Sequence, residues 1–371
     1  MNTRLRSLGV IFCGAITVAA VRDAEGAMKP HVAEVARMGA ARAAHTATLL
    51  GDGRVLVAGG CTVDGCEMAA AGATAELYDP RARRFTPAGR MSARRGGHTA
   101  TRLADGTVLL AGGWDGGRQL ATAELYDPRT GRFTATGSLA RARGGHTATL
   151  LPDGRVLIAG GDGGVREVEV YDPRTRSFRT VGSLREPRSA HAASLLANGR
   201  VLLTGGSVRR GTVVSSAEVF DPRTGRSTAT GEMTRVRHRH AAAALPDGRV
   251  LVLGGSDHRD WRGRCATAEV YDPATGRFTR VSDLRTARFK LANAVVPLAN
   301  GTVLVAGGGE TVEAFSPPRG EFFTAHGSLG AARQFSTATA LADGSVLIVG
   351  GYDERVRPTA TAWLYSGARP S

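Results

Sequence analysis

Seven basic side chains recur at one position of a repeated pattern and could together bind anions. Each lies three residues before a repeated histidine position: Arg42, Arg95, Arg143, Arg188, Arg237, Lys290 and Arg333. If the repeats surround a central channel, these cations would ring its mouth and concentrate anions there. The competing interpretation is structural, because an arginine can bind a neighbouring carboxylate bidentately. Six repeats offer one: Glu76, Glu124, Glu169, Glu218, Glu269 and Glu313. The seventh has Trp363 there, which makes Arg333 the strongest candidate for ligand binding.

Other candidate binding residues lie in irregular loops, where binding residues on a regular scaffold are usually found. They are Trp114, Asp115, Asp257, His258, Trp261, Tyr352 and Asp353. The repeated histidines predict a hydrogen bond inside each repeat rather than catalysis, since catalysis needs one special environment. They are His45, His98, His146, His191 and His240, with Asn293 and Ser336 in the last two repeats. The pattern thus supplies binding candidates and no predicted catalytic residue.

The elements that position these residues are hairpins. Arg143–Gly161, RGGHTATLLPDGRVLIAGG, has an alternating strand, an Asp-Gly turn and a buried aliphatic strand that ends at a glycine pair. A second hairpin follows, as in AELYDPRTGRFT at Ala123–Thr134. The turn glycine recurs seven times at spacings of 43 to 53 residues: Gly53, Gly106, Gly154, Gly199, Gly248, Gly301 and Gly344. Four strands in each repeat of this length predict the blades of a propeller.

The repeat resembles the kelch repeat. The glycine pair is followed by a tyrosine or phenylalanine in the third strand, and an aromatic residue usually comes seven positions later, as in Tyr126 and Phe133. The resemblance implies an all-β, seven-bladed kelch-type β-propeller with four antiparallel strands per blade. The last repeat lacks a fourth strand, so we predict that residues 31–38 close the ring by completing the last blade.

The kelch resemblance leaves an enzyme open as an alternative. A galactose-oxidase-like site needs copper held by two tyrosines and two histidines, with a cysteine able to cross-link to a tyrosine. Five of the six tyrosines here occupy repeated positions, so we expect no cofactor. A sialic-acid mutarotase-like site, with an arginine that holds a carboxylate beside an acid or base, is the other carbohydrate-active possibility. We favour a non-enzymatic, monomeric module that binds a protein or an acidic carbohydrate through the loop face around the channel mouth.

The amino terminus has the features of a signal peptide. Residues 1–27 carry two arginines and then a short apolar segment, while 28–371 would form a single propeller domain. The protein is therefore expected to be secreted or periplasmic, without membrane insertion. In an oxidising compartment Cys61 and Cys66 would form a loop disulfide, because partners for a zinc site are absent from the sequence pattern. The net charge of +15 does not predict nucleic-acid binding, because few aromatic residues are left over for stacking on bases.

Overall fold

The computed structural model describes residues 30–367, apart from the side chain of Arg210. It is an all-β, seven-bladed propeller in which every blade is a four-stranded antiparallel sheet. The signal peptide predicted at residues 1–27 lies outside the described residues. Within the described part, no helix is long and apolar enough to cross a membrane.

The strands of the first four blades follow the repeats in order. Blade 1 contains β2 (Thr46–Leu49), β3 (Val55–Ala58), β4 (Thr74–Asp79) and β5 (Arg84–Arg90). Blade 2 contains β6 (Thr99–Arg102), β7 (Val108–Ala111), β8 (Ala123–Asp127) and β9 (Arg132–Ala135). Blade 3 contains β10 (Thr147–Leu150), β11 (Val156–Ala159), β12 (Glu167–Asp172) and β13 (Ser177–Ser183). Blade 4 contains β14 (Ala192–Leu195), β15 (Val201–Thr204), β16 (Ala217–Asp221) and β17 (Arg226–Ala229).

The remaining blades are built in the same way. Blade 5 contains β18 (Ala241–Ala244), β19 (Val250–Leu253), β20 (Ala268–Asp272) and β21 (Arg277–Arg280). Blade 6 contains β22 (Val295–Pro297), β23 (Val303–Val305), β24 (Glu313–Ser316) and β25 (Glu321–Thr324). Blade 7 contains β26 (Thr337–Ala340), β27 (Val346–Val349), β28 (Thr359–Ser366) and the first strand of the chain, β1 (His31–Arg42). Short 3-10 turns lie in the loops at Asp64–Cys66, Ala70–Ala73, Arg209–Gly211 and Asp260–Gly263.

The aliphatic second strands are buried on both faces because alternate residues serve two neighbouring blades. In β7, Val108 and Leu110 pack in the cluster shared with blade 1. Leu109 and Ala111 pack in the cluster shared with blade 3. The core is therefore divided among the interfaces between blades, and it explains why this strand is a continuous hydrophobic run.

The predicted closure of the ring is confirmed. β1 pairs antiparallel with β28, with Val32 opposite Tyr365 and Glu34 opposite Trp363. Val32 packs with both aromatic side chains in the core between blades 6 and 7. The strand runs beyond the predicted residue 38 as far as Arg42, so its last residue already belongs to the turn that leads into blade 1.

Candidate functional site

The buried arginines of the repeat lie inside the structure and not at the channel mouth. Each binds a glutamate of the third strand at 2.5–3.1 Å, and its Nη1 donates a hydrogen bond to the first glycine of the following glycine pair. The pairs are Arg42–Glu76, Arg95–Glu124, Arg143–Glu169, Arg188–Glu218, Arg237–Glu269 and Arg288–Glu313. The predicted pairing of arginine with glutamate is therefore confirmed in blades 1 to 5. Because these arginines are at most 2% exposed, the alternative, a cationic ring at the mouth, is wrong for them: they offer no surface to a ligand.

In blade 6 the repeated arginine position differs from the one that the sequence pattern predicts. Arg288, not Lys290, occupies the repeated arginine position, and it reaches the glycine carbonyl 19 residues later instead of 17. Two residues are inserted before β22, so Leu291 takes the histidine position that the sequence pattern assigns to Asn293. A Cβ atom on Gly254 would lie 2.7 Å from Leu291, just as one on Gly112 would lie 2.8 Å from the His146 ring.

Arg333 is the one predicted member that keeps the repeated position without a glutamate. Its Nε donates to the Leu329 carbonyl at 3.1 Å, and its guanidinium lies 5.3 Å from the centre of the Trp363 ring. Within residues 30–367 no carboxylate lies at salt-bridge distance from it, and the side chain is half-buried. Arg333 therefore packs against an aromatic ring where the other blades have an ion pair.

The repeated histidines join neighbouring blades, which corrects the expectation of a bond inside each blade. His146 Nε2 in blade 3 and Thr99 Oγ1 in blade 2 lie 3.0 Å apart in a hydrogen bond. The other bonds of this kind are His45–Thr337, His98–Thr46, His191–Thr147 and His240–Thr204. His45 is in blade 1 and Thr337 in blade 7, so this contact also closes the ring. Burial lowers the pKa of His146 to about 3, which keeps the imidazole neutral.

A ring of left-handed residues forms the actual mouth of the channel. The position two residues after each repeated arginine has φ between 51° and 62° in every blade. The seven residues, called here the mouth ring, are Ala44, Gly97, Gly145, Ala190, Arg239, Lys290 and Phe335. Backbone hydrogen bonds of 2.7–3.2 Å link neighbours around it, for example from Lys290 N to Arg239 O and from Phe335 N to Lys290 O. Because the left-handed region is strained for most residues, the large side chains here suggest function.

The side chains of the mouth ring differ between blades 1 to 4 and blades 5 to 7. Over blades 1 to 4 its side chains are alanine or absent. Over blades 5 to 7 the side chains are Arg239, Lys290 and Phe335, and all three are partly exposed. Seven equivalent backbone positions thus carry one small, uncharged arc and one basic and aromatic arc.

The basic arc is organised around Lys290. Its Nζ donates a hydrogen bond to the Tyr352 hydroxyl at 2.6 Å. The same atom lies 4.6, 5.5 and 5.1 Å from the ring centres of Phe289, Phe335 and Tyr352. Burial, followed by the charge of Arg239, lowers the pKa of Lys290 to about 8. Burial raises the pKa of Tyr352 to about 12, so this hydroxyl stays protonated.

Arg239 and Asp260 form the adjoining part of the arc. Nη1 of Arg239 donates to both carboxylate oxygens of Asp260, at 3.0 and 3.2 Å. Among the described residues, the Nε and Nη2 groups of Arg239 have no hydrogen-bond partner. The His238 ring lies nearby, 3.8 Å from an Asp260 oxygen, and burial lowers its pKa. Arg239 therefore keeps free donors for an acceptor above the mouth.

Comparison with known proteins agrees with this architecture. The Kelch motif model matches residues 95–139 and 237–285, which are parts of blades 2 and 5. A solved structure of a fungal alcohol oxidase in complex with copper has a TM-score of 0.74. The match covers 91% of this chain and 75% of that one at 19% identity, so it shows a shared fold alone. No curated protein matches the sequence.

The chain is a kelch-repeat β-propeller. The two motif matches, the seven four-stranded blades and the similarity to the oxidase propeller support this together. Kelch propellers include both binding modules and enzyme scaffolds, so the family leaves the function to the individual site.

The residues of this kelch propeller do not fit a copper site. No group of three histidine, cysteine, aspartate or glutamate side chains within residues 30–367 could hold a metal. Five tyrosines pack in the blades, at most 3% exposed: Tyr78, Tyr126, Tyr171, Tyr271 and Tyr365. Tyr352 is the tyrosine of the mouth, and Cys265 is buried against the Gly254 carbonyl. The part of the chain that the structure describes therefore offers no donor set for copper.

The other candidates from the sequence are distributed around the loop face. Trp114 is 39% exposed in blade 2 and covers Gly144 of blade 3, while Asp115 binds backbone amides of its own loop. Asp257 and Asp353 form ion pairs with Arg259 and Arg357 in their own loops. His258 is exposed, and Trp261 stacks edge-on against Phe289 behind Lys290. Cys61 and Cys66 form a disulfide in the loop of blade 1.

The structure therefore brings Lys290, Tyr352 and, more distantly, Trp261 together, and it adds Arg239, Asp260, Phe289 and Phe335. The sequence contains a signal for two of the additions. Arg239 and Phe335 stand two residues after a repeated arginine, where blades 1 to 4 have glycine or alanine. Comparing that position across the repeats would have singled them out.

Proposed function

We propose that this kelch propeller is a binding module for an acidic carbohydrate, which it binds at the basic arc of the mouth ring. The observation that carries the proposal is the asymmetry of seven equivalent positions. Repetition explains the buried arginines, but it does not explain why cations stand on strained backbone in two adjacent blades only. A non-enzymatic role at this face is the simplest use of that arrangement.

The chemistry of the arc favours a carboxylate as the group that is recognised. Arg239 presents free Nε and Nη2 donors, and a guanidinium edge matches a carboxylate in two parallel hydrogen bonds. Lys290 adds a second positive charge, which the described residues do not neutralise within salt-bridge distance. The negative charge of Asp260 is already engaged by Arg239. A bound carboxylate would therefore supply the charge that Lys290 lacks.

The surroundings of the two cations favour a sugar as the carrier of that carboxylate. Phe335 lies beside Arg239 and Lys290 and is partly exposed, so it offers an apolar surface at the edge of the charged groups. A pyranose ring presents both C–H faces and hydroxyl groups, which suits an apolar surface with donors around it.

The test is binding of the purified protein to polygalacturonate and polysialic acid at two salt concentrations. We expect salt-sensitive binding, and the double substitution Arg239→Ala with Lys290→Ala should weaken it by about tenfold or more. The matched control replaces Arg174 and Arg223, which are exposed in turns on the opposite face, by alanine. It removes the same charge.

Two outcomes would contradict the proposal. Equal weakening by both double variants would show attraction to net charge alone. Absence of binding to either polymer, together with capture of an acidic protein that depends on Arg239, would make a protein the ligand instead. Export of the chain, which the proposal also assumes, is tested separately by sequencing the amino terminus of the protein recovered from culture medium or periplasm.

A further inference from the structure

Lys290 stands apart from every other charged residue that the structure describes. It is the sole lysine in residues 30–367, among many arginines, although arginine would serve equally well for simple attraction of anions. Unlike arginine, a lysine amine can lose its proton and then act as a nucleophile. Lysine at this position therefore supplies a primary amine at the mouth, which arginine cannot supply.

The environment of the Lys290 amine is that of an activated nucleophile. Three aromatic rings surround Nζ, and Arg239, the neighbouring residue of the mouth ring, adds a positive charge. Desolvation and a nearby cation are the two means by which proteins activate lysine amines. With a pKa of about 8, about one amine in ten is neutral at pH 7, hundreds of times more than for an ordinary lysine.

We propose that Lys290 forms a reversible imine with the carbonyl carbon of a 2-oxo acid, whose carboxylate is held by Arg239. This inference rests on the proposed function and narrows its ligand class to acidic sugars or smaller acids that expose a carbonyl group. The Lys290 and Arg239 residues are adjacent in the mouth ring, joined by a backbone hydrogen bond of 2.8 Å. One ligand can therefore meet both.

The step balances without any further reactant. The ammonium first loses a proton, and the Nζ lone pair then forms a bond to the carbonyl carbon while the π electrons move to oxygen. That oxygen takes up protons and leaves as water when the nitrogen lone pair forms the C=N bond. The overall reaction converts one ammonium group and one carbonyl group into one iminium ion and one water molecule. It therefore needs no oxidant or reductant.

Tyr352 is the positioning residue for this step. Its hydroxyl accepts the hydrogen bond from Nζ at 2.6 Å, which fixes the amine, and its own proton is free to be donated to the oxygen that leaves. His238 and Asp260 are the other titratable groups that face this part of the mouth. The Asp260 carboxylate is engaged by Arg239, whereas the Tyr352 phenol lies within hydrogen-bond distance of the amine.

The experiment is reductive trapping of the full-length protein with pyruvate and cyanoborohydride, read by peptide mass spectrometry. We expect the reduced adduct on Lys290 at about tenfold or more the level on Lys29, which reports the background for a lysine. Tyr352→Phe should slow trapping severalfold and change its pH profile. Lys290→Arg should abolish the adduct, because a guanidinium cannot form the imine.

Lactate separates failure of this inference from failure of the proposed function, because it carries the carboxylate without the carbonyl group. Suppose that lactate and pyruvate bind with similar affinity, that both affinities depend on Arg239, and that pyruvate gives only background trapping at Lys290. The imine is then wrong, and the binding of acids at the arc stands. If Arg239→Ala changes binding of neither acid and no adduct forms, both are wrong. Trapping at Lys290 that lactate suppresses would support both.

Discussion

Two layers of the same seven turns have opposite characters. The lower layer contains the repeated arginines, which are buried and paired in blades 1 to 6, and the repeated histidines, which are buried and paired in blades 1 to 5. The upper layer is the mouth ring, two residues further along the chain, where the backbone is the same in each blade and the side chains differ. The comparison teaches that repetition marks the scaffold of this propeller, and that departure from the repeat on an unchanged backbone marks the candidate site.

The largest effect should come from breaking the lower layer. Arg237→Ala would leave the carboxylate of Glu269, 0% exposed, without its partner at 2.7 Å. We expect the free energy of unfolding to fall by about 3–5 kcal/mol. Arg333→Ala at the equivalent position of blade 7 should cost only about 1 kcal/mol, because no glutamate is left unpaired. Urea denaturation measures both, and equal losses would mean that the ion pairs are not what the lower layer contributes.

An intermediate effect is expected from the neutral histidines. The pKa of His146 is about 3 in the folded protein, against 6.5 as its ordinary value. The unfolded chain therefore binds more protons between these pH values, and stability falls as the pH is lowered from 6.5 towards 3. His146→Leu, which copies Leu291 of blade 6, should reduce this slope by about 1.4 kcal/mol per pH unit.

Denaturant unfolding at several acidic pH values measures that slope. His258→Leu, at an exposed loop position, controls for the loss of an imidazole at the surface. If His146→Leu left the slope unchanged, proton uptake by the inter-blade histidines would not be the source of acid sensitivity.

The smallest expected effect on stability concerns Lys290, which belongs to the upper layer. A lysine whose folded pKa is about 8 instead of 10.5 is unfavourable below pH 8. Stability rises with pH between these two values, because the unfolded chain still binds the proton that the folded protein has released. Lys290→Met keeps the aromatic packing without the charge, so it should raise the melting temperature at pH 7 by about 1–3 °C. The gain should disappear above pH 10. A lower melting temperature at pH 7 would indicate that Lys290 is structural.

Much of the fold could be predicted because repeats make local patterns visible. The seven blades, the closing strand and the glutamates opposite the arginines all follow from spacing. The candidate site could not be predicted from the spacing of the repeats. A two-residue insertion after Leu291 shifts the register of blade 6, so Lys290 was aligned with the buried arginines although Arg288 holds that place. The contact between Lys290 and Tyr352 joins residues 62 apart in sequence, and nothing in either loop alone indicates it.

The histidine bonds show the same limit in physical terms. Their position was evident from the repeat, but their partner depends on how one blade packs against the next. Gly112 has φ of 62°, and a Cβ there would lie 2.6 Å from the Arg143 carbonyl oxygen of the next blade. That close approach brings His146 to Thr99, and it is a property of the assembled ring.

The pairing of β1 with β28 makes completion of the ring depend on strands from opposite ends of the described chain. β1 emerges from the ribosome first, yet its partner is made more than 300 residues later. Until then blade 7 is incomplete, and the hydrogen bond between His45 and Thr337 cannot join blade 1 to a complete blade 7. Completion of blade 7 therefore requires an early strand and a late strand of the described chain to meet, and a factor that sequesters β1 would delay it.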